Sequence, residues 1–297
     1  MATRQSDQQR VRQLALQYPD KVIPCFGYHP WFSYTISIYP VISKHHHYHA
    51  LLLGSSSVRP ELLDAFQKLL PHLPEPRLLD DIIQELRSNL QAFPDAMLGE
   101  VGLDRSFRLP IDYFSSPRIL TPFTIPFEHQ LAIVEAQLDL AVELERNVSF
   151  HSVKSQQATA TLLGKMRDKN GERWRRISID IHSCGFSPEM WRSIESEHPN
   201  AFISVSVVIN GRNSNLRRLI AACASDRILV ESDYNNAEMT TAMTWEILLT
   251  VAEVKGWQVE KEWDQIPESD RVGAVKQLEE NWRKFKRGNH PIRVKKS

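Results

Sequence analysis

Cysteine is scarce in this chain of 297 residues, which has only Cys25, Cys184 and Cys223. The three are widely separated, odd in number and without CxxC spacing, so a disulfide framework is excluded. Free thiols of this kind are typical of a reducing compartment. The sequence therefore predicts a cytoplasmic or nuclear protein.

Long apolar runs and an excess of charge of one sign are also lacking. No stretch approaches the length needed to span a bilayer, and the opening MATRQSDQQR is polar where a signal peptide would be apolar. Lys plus Arg and Asp plus Glu both number 36, which gives a formal net charge of zero. Without a long-range field, any nucleic acid must be held by local contacts, and a membrane partner is not expected.

Short β-rich segments and helical patterns alternate through most of the chain. The β-rich segments are 22–30, 96–104, 147–153, 177–184, 201–208 and 227–233, and the helical patterns between them include 128–145, 155–168, 187–197 and 213–224. A first helix before Pro19 and closing helices at 241–256 and 270–285 flank this region. Such alternation indicates a parallel α/β sheet, and we predict one domain over 1–297 with a short basic tail.

Residues 31–95 separate the first two β-rich segments and are predicted to form an insertion rather than a domain. It contains the histidine-rich tract KHHHYH (44–49), which could bind metal. Because consecutive histidines cannot all face one ion, we interpret the tract as a solvated loop. A second irregular segment, 105–126, follows a strand end, where α/β enzymes place substrate contacts.

Polar side chains end four of the predicted strands. The last residue on the polar face of a strand is His151, His182 or Asp233, and Glu100 lies between two glycines of GEVG. The carboxyl ends of parallel strands collect the catalytic groups of α/β barrels. Each residue alone is better explained by a local partner, but four at matching positions favour one centre for zinc, manganese or magnesium.

Three further residues have competing interpretations. His29 ends a β-rich segment and is either a functional group or a loop-capping histidine. Glu231 either orients a ligand histidine or forms an ordinary buried ion pair. Cys184, two residues after His182, has no acyl-transfer triad around it and is interpreted as a small core residue.

Six motifs follow one another along most of the chain: GYHP (27–30), GEVGLD (99–104), SFHS (149–152), HSCGFS (182–187), ILVESD (228–233) and ENWRKF (280–285). In this order they resemble the TatD family of metal-dependent deoxyribonucleases, a TIM-type (β/α)₈ hydrolase barrel. GEVGLD is the most specific of them. The segment after Glu100 is similar to a eukaryotic branch linked to a tetratricopeptide subunit of the anaphase-promoting complex.

The resemblance implies a role for each matching residue. Glu100, His151, His182 and Asp233 would bind one or two divalent metal ions (Zn, Mg or Mn), and Glu100 and Asp233 would also be catalytic. His29 would contact the substrate phosphate of DNA. The branch further implies a protein partner related to the anaphase-promoting complex.

Some positions depart from the family pattern. Trp31 replaces the second histidine of HPH, Val153 replaces a common arginine, and ESDYN replaces ETDAP. The family's opening strand with H-x-H and its second strand have no counterpart, so six of eight barrel strands are recognisable. Barrel geometry couples strand number, tilt and shear, so we predict an N-terminally shortened barrel that folds poorly or needs a partner.

The sequence supports three functional hypotheses. The first is a metal-dependent hydrolase of DNA, impaired or not by the missing strands. The second is a catalytically weak adaptor that keeps the fold and binds protein partners. The third is a barrel hydrolase of small amides or lactones, which the absence of a lysine at the bridging position weakens.

Overall fold

The computed structural model describes residues 1–54, 59–262 and 273–291. The chain divides into two compact units, the first with Met1–Arg146 and Val153–Ser155, the second with Asn147–Ser152 and the described residues from Gln156 onward. The predicted single domain over 1–297, with its insertion at 31–95, stays a prediction. The basic tail at 293–297 and the start of the last predicted helix lie outside the described residues. Among the described helices, none combines the length and the apolar character needed to cross a membrane.

The first unit contains helices and short parallel strands. In chain order they are α1 (Gln5–Gln17), β1 (Cys25–Phe26), β2 (Ile36–Ser37), α2 (Lys44–Leu52), α3 (Pro60–Leu69), β3 (Arg77–Leu78), α4 (Leu79–Ala92), β4 (Met97–Asp104) and α5 (Phe127–Glu143). β1 pairs with β4 in parallel, with Cys25 beside Met97 and Phe26 beside Leu98, and β2 pairs with β3. The strand predicted over 22–30 is thus confirmed only at 25–26.

The histidine-rich tract is helical, so its interpretation as a solvated loop is wrong. Ser43 caps α2, since its hydroxyl accepts a hydrogen bond from the His46 N–H at 3.1 Å. His47 is buried with its Nε2 2.8 Å from the Tyr34 carbonyl, and Tyr48 is buried and donates to the Pro74 carbonyl at 2.8 Å. These tertiary contacts order a segment whose composition alone suggested solvent exposure.

The second unit holds four parallel strands with helices between them. Its elements are β5 (Val148–Val153), α6 (Gln156–Asn170), β6 (Ile179–Ile181), α7 (Pro188–Glu197), β7 (Ala201–Val205), α8 (Val207–Asn210), α9 (Leu216–Ala222), β8 (Ile228–Val230), α10 (Ala237–Lys255) and α11 (Ala274–Arg287). The strands pair in the order β5, β6, β7, β8. β6, β7 and β8 are shorter than the predicted β-rich segments, although the His182 N–H still donates to the Phe150 carbonyl and the Glu231 N–H to the Val205 carbonyl.

The closing helix α11 is attached to the base of these strands by side-chain amides. Asn281 donates from Nδ2 to the carbonyls of Ser225 and Ile228, at 2.7 and 2.8 Å. Phe285, one turn further on, is buried with its ring centroid 5.4 Å from that of Phe202. The asparagine and aromatic residue of ENWRKF therefore lock the helix onto β8 and β7.

The residues after α11 continue this attachment. The His290 N–H donates to the Arg175 carbonyl at 2.8 Å, and its Nε2 lies 2.7 Å from the Ser178 hydroxyl. Ser178 gives its own proton to the Phe285 carbonyl at 2.6 Å, so the neutral ring must donate from Nε2. Burial, followed by nearby arginines, lowers the pKa of His290 to about 4.

This lowered pKa predicts a contribution of His290 to acid destabilisation. The unfolded histidine takes up a proton near pH 6.5, and the folded one only near 4, so unfolding binds a proton between these values and stability falls as pH falls. His290→Gln keeps a donor for Ser178 but cannot titrate. Urea unfolding at pH 7 and at pH 4.5 measures the free energy of unfolding, and we expect it to fall less between these pH values in the variant than in the parent. Equal losses in both proteins would contradict the assignment.

Candidate metal centre

In the first unit, His29 and Glu100 face each other at the ends of β1 and β4. His29 Nε2 lies 3.4 Å from Glu100 Oε1, and His29 is buried. The Trp31 N–H donates to His29 Nδ1 at 3.1 Å, so a neutral ring carries its proton on Nε2. His29 can therefore present an N–H donor beside the Glu100 carboxylate. The competing interpretation also holds in part, because His29 caps the 3₁₀ helix Pro30–Thr35.

Two buried glutamines of α5 fix the strand ends on which these residues depend. Gln137 accepts from the Tyr28 N–H at 2.8 Å and donates to the Tyr28 carbonyl at 3.2 Å. Gln130 accepts from the Asp104 N–H at 2.9 Å and donates to the Asp104 carbonyl at 3.0 Å. Each amide satisfies both backbone groups of a residue that would otherwise leave them buried and unpaired.

Trp31 takes a structural role where the family pattern has a second histidine. Its indole Nε1–H donates to Asp104 Oδ2 at 2.6 Å, and its ring stacks on Phe107 with centroids 5.2 Å apart. Asp104 Oδ1 in turn accepts from the backbone N–H groups of Ser106 and Phe107. The residues after β4 are thus held over the His29 side of the first unit.

In the second unit, Glu231 orients His182. Its Oε2 lies 2.6 Å from His182 Nδ1, while its Oε1 accepts from the N–H and hydroxyl of Ser183 at 2.7 and 2.8 Å. A carboxylate held in this way fixes both the position of the ring and the nitrogen that carries the proton. The interpretation of Glu231 as an orienting group is the one that these contacts favour.

The other nitrogen of His182 faces Asp233. His182 Nε2 lies 3.3 Å from Asp233 Oδ1, and Asp233 Oδ2 lies 3.3 Å from the Ser183 hydroxyl oxygen, whose proton goes to Glu231. With the proton on Nδ1, the lone pair of His182 Nε2 faces a lone pair of Asp233 Oδ1. This arrangement requires a cation or a proton between the two atoms. Ser183 and Asp233 both have positive φ, 41° and 45°. These strained positions turn the chain so that the side chains meet.

Asp180 also belongs to this group, although the sequence motifs did not identify it. One ligand atom from each of Asp180, His182 and Glu231 lies within 4.8 Å of the others. Burial and the Glu231 carboxylate raise the pKa of Asp180 to about 7. The alternation of β6 had placed Asp180 and His182 on one face, so a second polar residue at i−2 was the available signal. Cys184 is buried, as predicted, and burial raises the pKa of its thiol to about 12.

His151 lies beside His182 in the second unit. The last paired residues of β5 and β6 are Phe150 and Ile181, each directly before a histidine, and the His182 N–H donates to the Phe150 carbonyl at 2.9 Å. His151, half-buried, thus occupies the neighbouring register position. Within the units, His29 meets Glu100 and His182 meets Asp233. The union of all four predicted ligands in one centre stays a prediction.

The residues of the second unit fit a divalent cation. Carboxylate oxygens and an imidazole nitrogen are ordinary ligands for zinc, manganese and magnesium. Asp180 Oδ1 is buried and has no hydrogen-bond partner among the described residues, which is the condition a cation would relieve. The donor set and this unsatisfied oxygen both support a divalent cation in the second unit.

Replacing Glu231 tests the orienting contact. Glu231→Gln replaces one of the two carboxylate oxygens by an NH₂ group, which is a donor. The side chain can then no longer accept hydrogen bonds from both Ser183 and His182. We expect affinity for Mn²⁺ or Zn²⁺ to fall roughly 10- to 100-fold with the fold retained, measured by isothermal titration calorimetry. Glu197→Gln, at a surface carboxylate paired with Arg167, is the control. Parent affinity in Glu231→Gln would reject the orienting role.

Comparison with known proteins gives a consistent result. The family described as TatD related DNase matches residues 1–269. The Cut9-interacting protein scn1 of Schizosaccharomyces pombe is 31% identical over 298 residues, covering 88% of this chain and 86% of that protein. The uncharacterized deoxyribonuclease YMR262W of Saccharomyces cerevisiae is 26% identical over 302 residues, covering 96% and 89%.

Solved structures share the fold. The TatD homolog YJJV from Escherichia coli K12 has a TM-score of 0.58 and 19% identity, covering 98% of this chain and 85% of its own. A TatD family hydrolase from Entamoeba histolytica has a TM-score of 0.58 and 13% identity, covering 96% and 82%. At these identities the likeness concerns the fold alone. Together with the family match, it confirms the predicted class, a TIM-type (β/α)₈ hydrolase fold with six recognisable strands, and a strand lies within each of the six predicted β-rich segments.

Proposed function

Since the chain belongs to the family of TatD-related DNases, we propose that it hydrolyses phosphodiester bonds in DNA with one or two divalent metal ions. Family membership supports metal-dependent hydrolysis as a class, and DNA as the substrate is the finer step. The observation that carries the proposal is the His182–Asp233 pair, 3.3 Å apart, with the ring oriented by Glu231. Such a pair needs a cation or a proton between its lone pairs, and a divalent ion would meet that need.

In this proposal Glu100, His151, His182 and Asp233 are the metal ligands. A bound divalent ion supplies two things, polarisation of a phosphoryl oxygen and a lowering of the pKa of water to about 7. His182 is held by Glu231 with Nε2 free of a proton. The metal could be zinc, magnesium or manganese, since all three accept this donor set.

The remaining steps use groups of the chain itself. The Asp233 carboxylate orients the attacking water and takes its proton, because its Oδ1 lies 3.3 Å from the His182 nitrogen that carries no proton. Glu100, which lies in the first unit, is assigned the same role of orienting the water and accepting its proton. The His29 Nε2–H donates to a phosphate oxygen, with its Nδ1 held by the Trp31 N–H. Substrate is held locally, consistent with zero net charge.

Degradation of labelled single-stranded DNA tests this function. Chelator-treated protein is supplied with Mg²⁺, Mn²⁺ or Zn²⁺, and products are separated by gel electrophoresis. We expect cation-dependent shortening that falls at least about 10²-fold in Glu100→Ala. Glu61→Ala, at an exposed carboxylate in α3 of the same unit, should keep parent activity. Activity that persists in Glu100→Ala or in excess chelator would reject the proposal.

A catalytically weak adaptor is the second candidate function. It is favoured by the similarity to a relative named for interaction with Cut9. In this case the chain would act in the cytoplasm or nucleus by binding a partner of the Cut9 type, related to the anaphase-promoting complex. Surface plasmon resonance with purified partner should then give the same affinity for the parent and for Asp233→Ala. Binding together with absent hydrolysis under all three metals would favour the adaptor over the nuclease.

A further inference from the structure

Asp180 is the member of the second unit's polar group whose role neither the motifs nor the proposed function explains. It lies in β6 two residues before His182, so both side chains leave the strand on the same face. Ligand atoms of Asp180, His182 and Glu231 all lie within 4.8 Å of one another. A carboxylate in this position faces the existing site from deeper along the strand.

The surroundings of Asp180 leave one of its oxygens unsatisfied. Asp180 is only 6% exposed. Its Oδ2 accepts from the Ser204 hydroxyl at 2.7 Å, whereas Oδ1 is buried and has no hydrogen-bond partner among the described residues. Burying a carboxylate oxygen without a donor is costly, so a buried acid in this state calls for a proton of its own or for a positive partner.

Glu231 makes this requirement stronger. Two carboxylates within a few ångströms repel one another, and in a buried site solvent screens the repulsion poorly. In the described part of the chain, neither Asp180 nor Glu231 forms an ion pair with a lysine or arginine. His182 cannot balance both acids alone, because its two nitrogens already face Glu231 and Asp233.

We propose that Asp180 is a metal-ligating residue that holds a divalent cation beside His182, whose ring Glu231 orients. The inference rests on the proposed function in placing a cation beside His182, and it adds a position to which Asp180 Oδ1 contributes. A carboxylate oxygen beside the imidazole of His182 suits Mn²⁺ or Mg²⁺ better than it suits a soft-ligand metal. Ser204 orients the carboxylate by holding its other oxygen.

Metal binding by Asp180→Asn tests this assignment. The amide has nearly the same shape as a protonated acid, so it separates a metal ligand from a neutral buried acid. Chelator-treated proteins are titrated with Mn²⁺ by calorimetry, and bound metal is counted by mass spectrometry after desalting. We expect the variant to bind one cation fewer per chain, or the same number with at least about tenfold weaker affinity at one position.

Thermal unfolding supplies a second readout. Without metal, Asp180→Asn should be as stable as the parent or more stable, because a buried charge has been removed. With Mn²⁺, the parent should gain more in Tm than the variant, since only a bound cation stabilises the folded state. Ser204→Ala, which keeps the carboxylate but removes its donor, should show an intermediate weakening and serves where Asp180→Asn fails to fold.

The control is Glu195→Gln, at another buried carboxylate of the second unit, which accepts from the Ala224 N–H at 2.9 Å. It should bind Mn²⁺ as the parent does. Parent stoichiometry and affinity in Asp180→Asn, or no cation bound by the parent, overturns the inference. A cation lost in Asp180→Asn from a protein that does not cleave DNA supports the inference and rejects the nuclease.

Discussion

The Asp233→Asn variant is expected to hydrolyse single-stranded DNA about 10³-fold more slowly than the parent in kcat/KM. Asparagine keeps the size of the side chain and its contact with Ser183, but it removes the negative charge opposite His182 Nε2. The site then lacks both a ligand and a group able to take a proton from water. Initial rates with Mn²⁺ at pH 7.5 measure the effect.

Unfolding measurements distinguish this loss from misfolding. Asp233 is half-buried at the end of β8, and its removal leaves no cavity, so metal-free stability should change little. Glu253→Gln, at an exposed carboxylate paired with Arg217, should retain full activity. A rate within a few-fold of the parent in Asp233→Asn would show that the His182–Asp233 pair is structural.

The Gly288→Ala variant is expected to lose about 3 kcal/mol of stability. Gly288 ends α11 with φ 61° and ψ −147°, a region of backbone conformation that only glycine adopts readily. An added Cβ would lie 2.1 Å from the Arg176 carbonyl oxygen. The same turn leads into His290, so the strain would also disturb the attachment of the chain to Ser178.

Gly256 provides a matched control for this prediction. It ends α10 with φ 65° and ψ 33°, the ordinary left-handed region, and a Cβ there would meet no atom within 4 Å. Gly256→Ala should therefore cost only about 1 kcal/mol, the intrinsic penalty of that conformation. Urea unfolding of both variants tests the difference. Equal losses would mean that the contact with Arg176 relaxes without cost.

The strands were accessible from the sequence because buried parallel strands are apolar runs that stop abruptly at polar residues. His182 and Asp233 were found from this feature, and the structure places them 3.3 Å apart. Asp180 was missed because a single acid on a strand face resembles any polar residue. Its unsatisfied oxygen becomes visible only when the donors around it are known.

Other parts of the fold depended on contacts between distant segments. The tract at 44–49 was interpreted as a loop from its composition, yet Tyr48 is packed in a hydrophobic cluster with Phe66 and Phe123. The positive φ of Ser183 and Asp233 was equally inaccessible, since neither residue type requires it. Tertiary packing selected these conformations against local preference.

The two glutamines of α5 have a mechanical consequence for the first unit. Gln130 and Gln137 are two helical turns apart on one helix, and each grips both backbone groups of a strand-end residue. Because both contacts come from one helix, any displacement of α5 would move the two strand termini together and in the same direction. Loops beyond these termini can thus diversify while the spacing beneath them is preserved.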